Sequence, residues 1–350
     1  MPEEPACSIM HILKEIIKLF DLTLLQGRVK TKEKNCSAKI RICFSKEKNM
    51  SLIKIIPLPP DASPFEQPEV DVSGIKRKYL DVPYAGIDNP NQMMDIFLPE
   101  EGDGPFPALI QFHGGAFMGG YKRDSQCVFL IKGLLRGYAV INVNYRLTGE
   151  AIFPYPVYDV KTAVRFLRAN AEKYCLDPAR FAASGDSAGA YFAAMLGMTS
   201  GVAALEDLSM GFADQDSSVQ AVIGMFGLYD LVRQSQFTED APPMANGIKV
   251  SNFADQFAGV NCREAAGLAS LASPISYVTK ECPPVFIQAG TEDEVVSYQG
   301  AVEFVNRINA VCGEERAVLE SIPGALHGDP AYETEQYERS RFEFLDRILK

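Results

Sequence analysis

From about residue 76 onward, short apolar runs bounded by turn residues alternate with longer amphipathic stretches, and this alternation constrains the fold more than any other feature. "KRKYLDVPY" and "QMMDIFLP" read as neighbouring antiparallel strands joined through "GIDNPN". "PALIQFHGG" and "YAVINVNYRL" have the length and apolar content of buried strands, with a helix-like "SQCVFLIKGLLRG" between them. There follow an amphipathic helix in "PVYDVKTAVRFLRANAEKY", a strand in "RFAAS", a helix over 187–199, and strands in "VQAVIGMFG" and "PPVFIQAG". A helix in "YQGAVEFVNRINAVC", a strand in "RAVLESIP" and a charged terminal helix complete the pattern. About eight strands alternating with helices predict an α/β fold, a mostly parallel sheet with helices on both faces. The chain is 350 residues long and 47% hydrophobic, enough to bury such a core. Residues 202–260 fit the alternation poorly after "VQAVIGMFG" and read as a cap inserted into one domain spanning 76–350.

The first 49 residues differ from the rest. "SIMHILKEIIKLF" carries one broad apolar helical face, and a lysine-rich stretch from Arg28 to Lys48 follows. Lys14, Glu15 and Lys18 interrupt the apolar run too early for a signal peptide. Residues 1–49 are expected to be a packed extension or sequence upstream of a start at Met50, with an amphipathic surface anchor as the alternative. Residues 50–75, proline-rich from Pro57 to Pro68, read as a linker.

The net charge of −11 argues against a nucleic-acid surface. No apolar run reaches the ~18 residues of a spanning helix. None of the eight cysteines forms a C-x-x-C pair, so no zinc or redox site is expected. Scattered thiols of this kind suit a reducing, cytoplasmic compartment.

Within the alternation, "FAASGDSAGAYFAAML" places Ser187 between a strand and a helix, with Gly185 and Gly189 two residues to either side. A serine on so tight a turn can serve as a nucleophile, provided a base, an acid that orients the base, and donors for an oxyanion converge on it. The chain has three histidines. His11 lies in the leader, leaving His327 in "IPGALHGDP" or His113 in "HGGAFMGG" as base. Gly114 and Gly115 directly follow His113 and let backbone N–H groups approach a ligand, which suits an oxyanion hole better than a base site. Past the strand "PPVFIQAG" lie Glu292, Asp293 and Glu294; Asp293 is preferred as the orienting acid, with Glu292 in reserve. Asp186 adjoins the serine and is expected to point away from it. All these residues fall at predicted strand ends, which a parallel sheet brings to one edge.

In this order and context the chain resembles the α/β-hydrolase superfamily from about residue 75 to 350. "FHGGAFMGG", "NYRLTGEAIFPYPVYDVKTAVRFLRANA" and "GDSAG" are similar to the esterase and lipase group related to hormone-sensitive lipase. Together with "PYAGIDNPNQMMDIFLP" they are similar to its bacterial branch of feruloyl and acetylxylan esterases. The resemblance implies Ser187 as nucleophile, Asp293 as orienting acid and His327 as general base. It also implies Gly114, Gly115 and Ala188 as backbone donors to the oxyanion. Ala116 stands where the family commonly has a third glycine.

The function implied is hydrolysis of small-molecule carboxylic esters through an acyl-enzyme, without metal or organic cofactor. Small or aromatic acyl esters are the expected substrates, with feruloyl or acetyl esters of plant carbohydrate as candidates among them. A peptidase or arylformamidase would use the same triad, and a non-catalytic binding protein on a hydrolase scaffold is the reading from a different class. Phe117, Met118, Tyr121 and Tyr145 are the expected pocket residues, with Phe153 and Tyr155 as cover. An oligomer is compatible with this reading.

Overall fold

The computed structural model describes residues 54–56, 68–243 and 250–350. His11, the leader 1–49 and most of the proline-rich linker lie outside the described residues.

Two short strands, β1 (Lys54–Ile56) and β2 (Glu69–Asp71), pair antiparallel ahead of the main sheet. The main sheet contains β3 (Lys78–Pro83), β4 (Met93–Phe97), β5 (Phe106–Phe112), β6 (Ala139–Val143), β7 (Leu176–Asp186), β8 (Ala221–Met225), β9 (Val285–Gly290) and β10 (Ala317–Ile322). Their order is β10-β9-β8-β7-β5-β6-β4-β3. β4 runs antiparallel to both of its neighbours, β3 and β6. The other five pairings are parallel. The fold is the eight-stranded, mostly parallel α/β sheet that the alternation predicts.

The central strands are buried on both faces, and successive residues divide between two apolar clusters. Ala108, Ile110 and Phe112 join Ala183, Val222 and Ile287 on one face, against helices α2 (Tyr155–Ala169), α3 (Ala188–Met198) and α7 (Tyr298–Cys312). Leu109, Ala182, Ile223 and Phe286 join Phe342 and Leu345 of α8 (Glu335–Leu349) on the other. This two-sided burial follows from the period-two alternation of strand side chains and explains why the strands read as continuous apolar runs.

Two expectations are corrected. The segment predicted as one helix over 125–137 is instead a single α-turn, α1 (Val128–Ile131), between 3-10 turns at Ser125–Cys127 and Lys132–Arg136. Gly133 lies against Leu109 and Val140 of the sheet, and Gly137 closes the segment at φ 78°. Close approach of main chain to sheet has replaced a regular helix. The predicted cap over 202–260 takes in β8, which is hydrogen-bonded between β7 and β9. The excursion from the sheet follows β8 and contains α4 (Leu231–Asp240), α5 (Phe253–Ala258) and α6 (Ala266–Leu271).

Candidate active site

Strand β7 ends at Asp186, and α3 begins at Ala188, so Ser187 occupies the whole turn between them. Its φ of 51° with ψ of −118° is a conformation that a side chain makes costly. The turn persists because its surroundings fix it. Ser187 N–H donates to the Met225 carbonyl of β8 at 2.9 Å. Cβ atoms on Gly185 or Gly189 would overlap main chain, that of Gly189 and of Phe112 respectively.

His327 follows β10 on the loop after Ile322, and Asp293 follows β9 on the loop after Gly290. The structure brings both to Ser187. His327 Nε2 lies 3.0 Å from Ser187 Oγ, and His327 Nδ1 lies 2.8 Å from Asp293 Oδ2. A carboxylate accepts from Nδ1–H, and in the imidazole tautomer protonated there Nε2 is the acceptor that faces the serine hydroxyl. The second carboxylate oxygen of Asp293 accepts from the Val295 and Val296 N–H groups, both at 2.8 Å, which locks the acid in place. Glu292, the reserve, is exposed. Phe226 meets the His327 ring edge-on at 4.8 Å and limits its rotation.

His113 has a different role. Its ring is buried, and burial lowers its pKa to about 4, so it is neutral. Nδ1 therefore donates to the Gly114 carbonyl at 2.8 Å. Tyr145 stacks on the ring and donates its hydroxyl to the His113 carbonyl at 2.7 Å. Asp186 is also buried and makes no bond to His327, although it reaches the cavity wall: it accepts from Gln111 Nε2 at 3.0 Å, and burial raises its pKa well above the ordinary range.

A cavity of about 490 Å³ opens over Ser187 and His327. Gly115 and Ala116 line it, and their N–H groups have no acceptor among the described residues. Gly114 departs from expectation. Its N–H donates to Gln126 Oε1 at 2.8 Å instead of opening into the cavity. Gly115 and Ala116 thus present free N–H groups on the cavity wall, and Ala188 opens α3 directly after the serine. The adoption of positive φ by Gly115 (112°) and Ala116 (53°) turns the loop back over the site.

The expected pocket residues are also corrected. Phe117 and Tyr145 are fully buried, Phe117 within a cluster with Tyr191, Phe192 and Phe257. Tyr121 is at the surface beside Lys122 and Arg123, and Met118 packs against the core. None of the four lines the cavity; its apolar wall is Met225, Phe226, Phe253 and Val295. Phe226 and Val295 lie just past strand ends, a position that could have flagged them; Phe253 comes from the excursion, where the sequence pattern is weakest.

Among the described residues, no group of three or more His, Cys, Asp or Glu side chains could hold a metal ion, and no helix is long and apolar enough to cross a membrane. Cys127, Cys175, Cys262, Cys282 and Cys312 are free thiols.

Esterase LipC of Mycobacterium tuberculosis is 30% identical over 251 residues, covering 69% of this chain and 58% of LipC. Isoprenylcysteine alpha-carbonyl methylesterase ICME of Arabidopsis thaliana is 25% identical over 244 residues, covering 69% of this chain and 55% of ICME. The chain spans about half the length of the curated relatives it matches. A solved structure described as a truncated form of a carbohydrate esterase from gut microbiota superposes with a TM-score of 0.67 at 28% identity, covering 78% of this chain and 96% of that one. Residues 94–308, from β4 through most of α7, match the family model BD-FAE; Ser187 and Asp293 fall inside the match and His327 beyond it. The chain belongs to the BD-FAE family, in the hormone-sensitive-lipase-like branch of the α/β hydrolases.

Proposed function

We propose that this protein hydrolyses carboxylic esters with Ser187 as nucleophile, His327 as general base and Asp293 as the acid that orients it. The observation carrying this reading is the 3.0 Å approach of His327 Nε2 to Ser187 Oγ, with Nδ1 committed to Asp293. His327 takes the serine proton as Oγ attacks the ester carbonyl, then returns it to the departing alcohol. Water repeats the cycle on the acyl-enzyme. The N–H groups of Gly115, Ala116 and Ala188, with the N-terminus of α3, stabilise the oxyanion; loss of one such donor typically costs roughly 3 kcal/mol in the transition state.

Small or aromatic acyl esters are the proposed substrates. A cavity of about 490 Å³ walled by Phe226, Phe253, Met225 and Val295 supports an acyl group of that size. The likeness to a carbohydrate esterase from gut microbiota supports acetyl or feruloyl esters of carbohydrate. The names of LipC and ICME support ester over amide hydrolysis. Release of p-nitrophenol from the acetate ester, abolished in Ser187→Ala, tests the reaction. Comparing acetyl, feruloyl and long-chain esters with an N-formyl anilide and a peptide tests the substrate class.

A further inference from the structure

Gln126 belongs to the 3-10 turn at Ser125–Cys127 and has no part in the triad, yet it is on the wall of the cavity that holds Ser187. Its backbone is fixed: the Gln126 N–H donates to Asp124 Oδ1 at 3.0 Å, and the other oxygen of that carboxylate accepts from Tyr121 N–H at 3.1 Å. The side chain is fixed as well. Gly114 N–H is a donor, so the carboxamide atom 2.8 Å from it must be the oxygen. A carboxamide is planar, so anchoring Oε1 also fixes the direction of the NH₂ group. That NH₂ has no acceptor among the described residues. A half-buried amide held by one end, with two free donors beside the nucleophile, is equipped to donate to an acceptor on the substrate.

We propose that Gln126 is a specificity residue that donates from Nε2 to an acceptor oxygen of the substrate near the scissile ester, in addition to the carbonyl oxygen held by the backbone. This rests on the ester-hydrolase reading and refines it. Substrates carrying an ether or hydroxyl oxygen close to the ester are preferred over hydrocarbon esters of the same shape. Oε1 supplies the rigidity: an amide anchored on Gly114 loses little freedom when it binds.

Two isosteric substrate pairs test this on the intact protein. On the alcohol side, 2-methoxyethyl acetate is compared with butyl acetate; on the acyl side, p-nitrophenyl methoxyacetate with p-nitrophenyl butyrate. The activating effect of the methoxy group on the acyl carbonyl is removed by reading the wild-type ratio against those of Gln126→Met and Gln126→Glu. The first variant removes acceptor and donor at constant length; the second keeps the acceptor and removes the donor. The oxygen-to-carbon ratio of kcat/KM should fall about tenfold in both variants for at least one pair, as expected for loss of a hydrogen bond of about 1.4 kcal/mol. A ratio is insensitive to a general loss of activity, and fluorophosphonate labelling of Ser187 reports that each variant is folded. Ratios unchanged in both variants for both pairs would overturn the proposal while leaving the hydrolase reading intact. A wild type inert towards all four esters and towards fluorophosphonate would remove the hydrolase reading itself, and this proposal with it.

Discussion

Gly185 and Gly189 touch through bare main chain: a Cβ on Gly185 would overlap the carbonyl group of Gly189, so β7 and α3 pack with no side chain between them. That contact holds Ser187 at φ 51° and points its hydroxyl out of the sheet edge. Gly185→Ala should therefore destabilise the protein by about 3 kcal/mol or more, because neither backbone can give way. Denaturant unfolding measures it; a loss within 0.5 kcal/mol, on the scale of ordinary surface substitutions, would mean the turn is looser than described.

The strain at Ser187 makes a second prediction. A glycine adopts positive φ at little cost, and an alanine only at a cost that its surroundings must offset. Ser187→Gly and Ser187→Ala should both be inactive, yet the glycine variant should be the more stable by about 1 kcal/mol. Equal melting temperatures for the two would argue that the turn stores no strain.

His113 ties stability to pH. Burial lowers its pKa to about 4 from the ordinary value of 6.5, so between these values the unfolded chain binds a proton that the folded chain does not. Stability from this group is complete above pH 6.5 and is lost as pH falls towards 4. At pH 5 the loss is about 2 kcal/mol. His113→Asn, whose amide can still donate to the Gly114 carbonyl, should show a shallower decline between pH 8 and 5 by that amount, read from chemical denaturation at each pH. Parallel curves for the two proteins would contradict the neutral, buried imidazole.

Phe253 forms part of the cavity wall and packs at 6.4 Å from Phe117. Phe253→Leu should widen the acyl site and raise kcat/KM for a hexanoate ester relative to the acetate by about fivefold, roughly 1 kcal/mol. An unchanged chain-length profile would place the acyl group elsewhere in the cavity.

Much of this was legible in the sequence because a parallel sheet turns order along the chain into proximity at one edge. Ser187 after β7, Asp293 after β9 and His327 after β10 each stand past a run of apolar residues bounded by breakers, and the structure brings the three together. Loops carry no such rule. That Gly114 gives its N–H to Gln126, twelve residues onward, depends on the path of the main chain through Asp124, and no periodicity encodes it. The aromatic residues misled for a related reason: Phe117 and Tyr145 are near the site in sequence but are consumed by packing against Phe257 and His113. The expected cap range 202–260 takes in the strand "VQAVIGMFG", although the alternation fades only after it, and hydrogen bonding to β7 and β9 sets that strand within the sheet.

In the proposed mechanism His327 and Asp293 make the Ser187 hydroxyl reactive towards acyl carbon, and the rate of p-nitrophenyl acetate hydrolysis in wild type, Ser187→Ala, His327→Ala and Asp293→Asn checks this. kcat should fall about 10³-fold or more in each variant, with no additive loss when two are combined. Full turnover by Ser187→Ala, or an undiminished rate in His327→Ala, would contradict it.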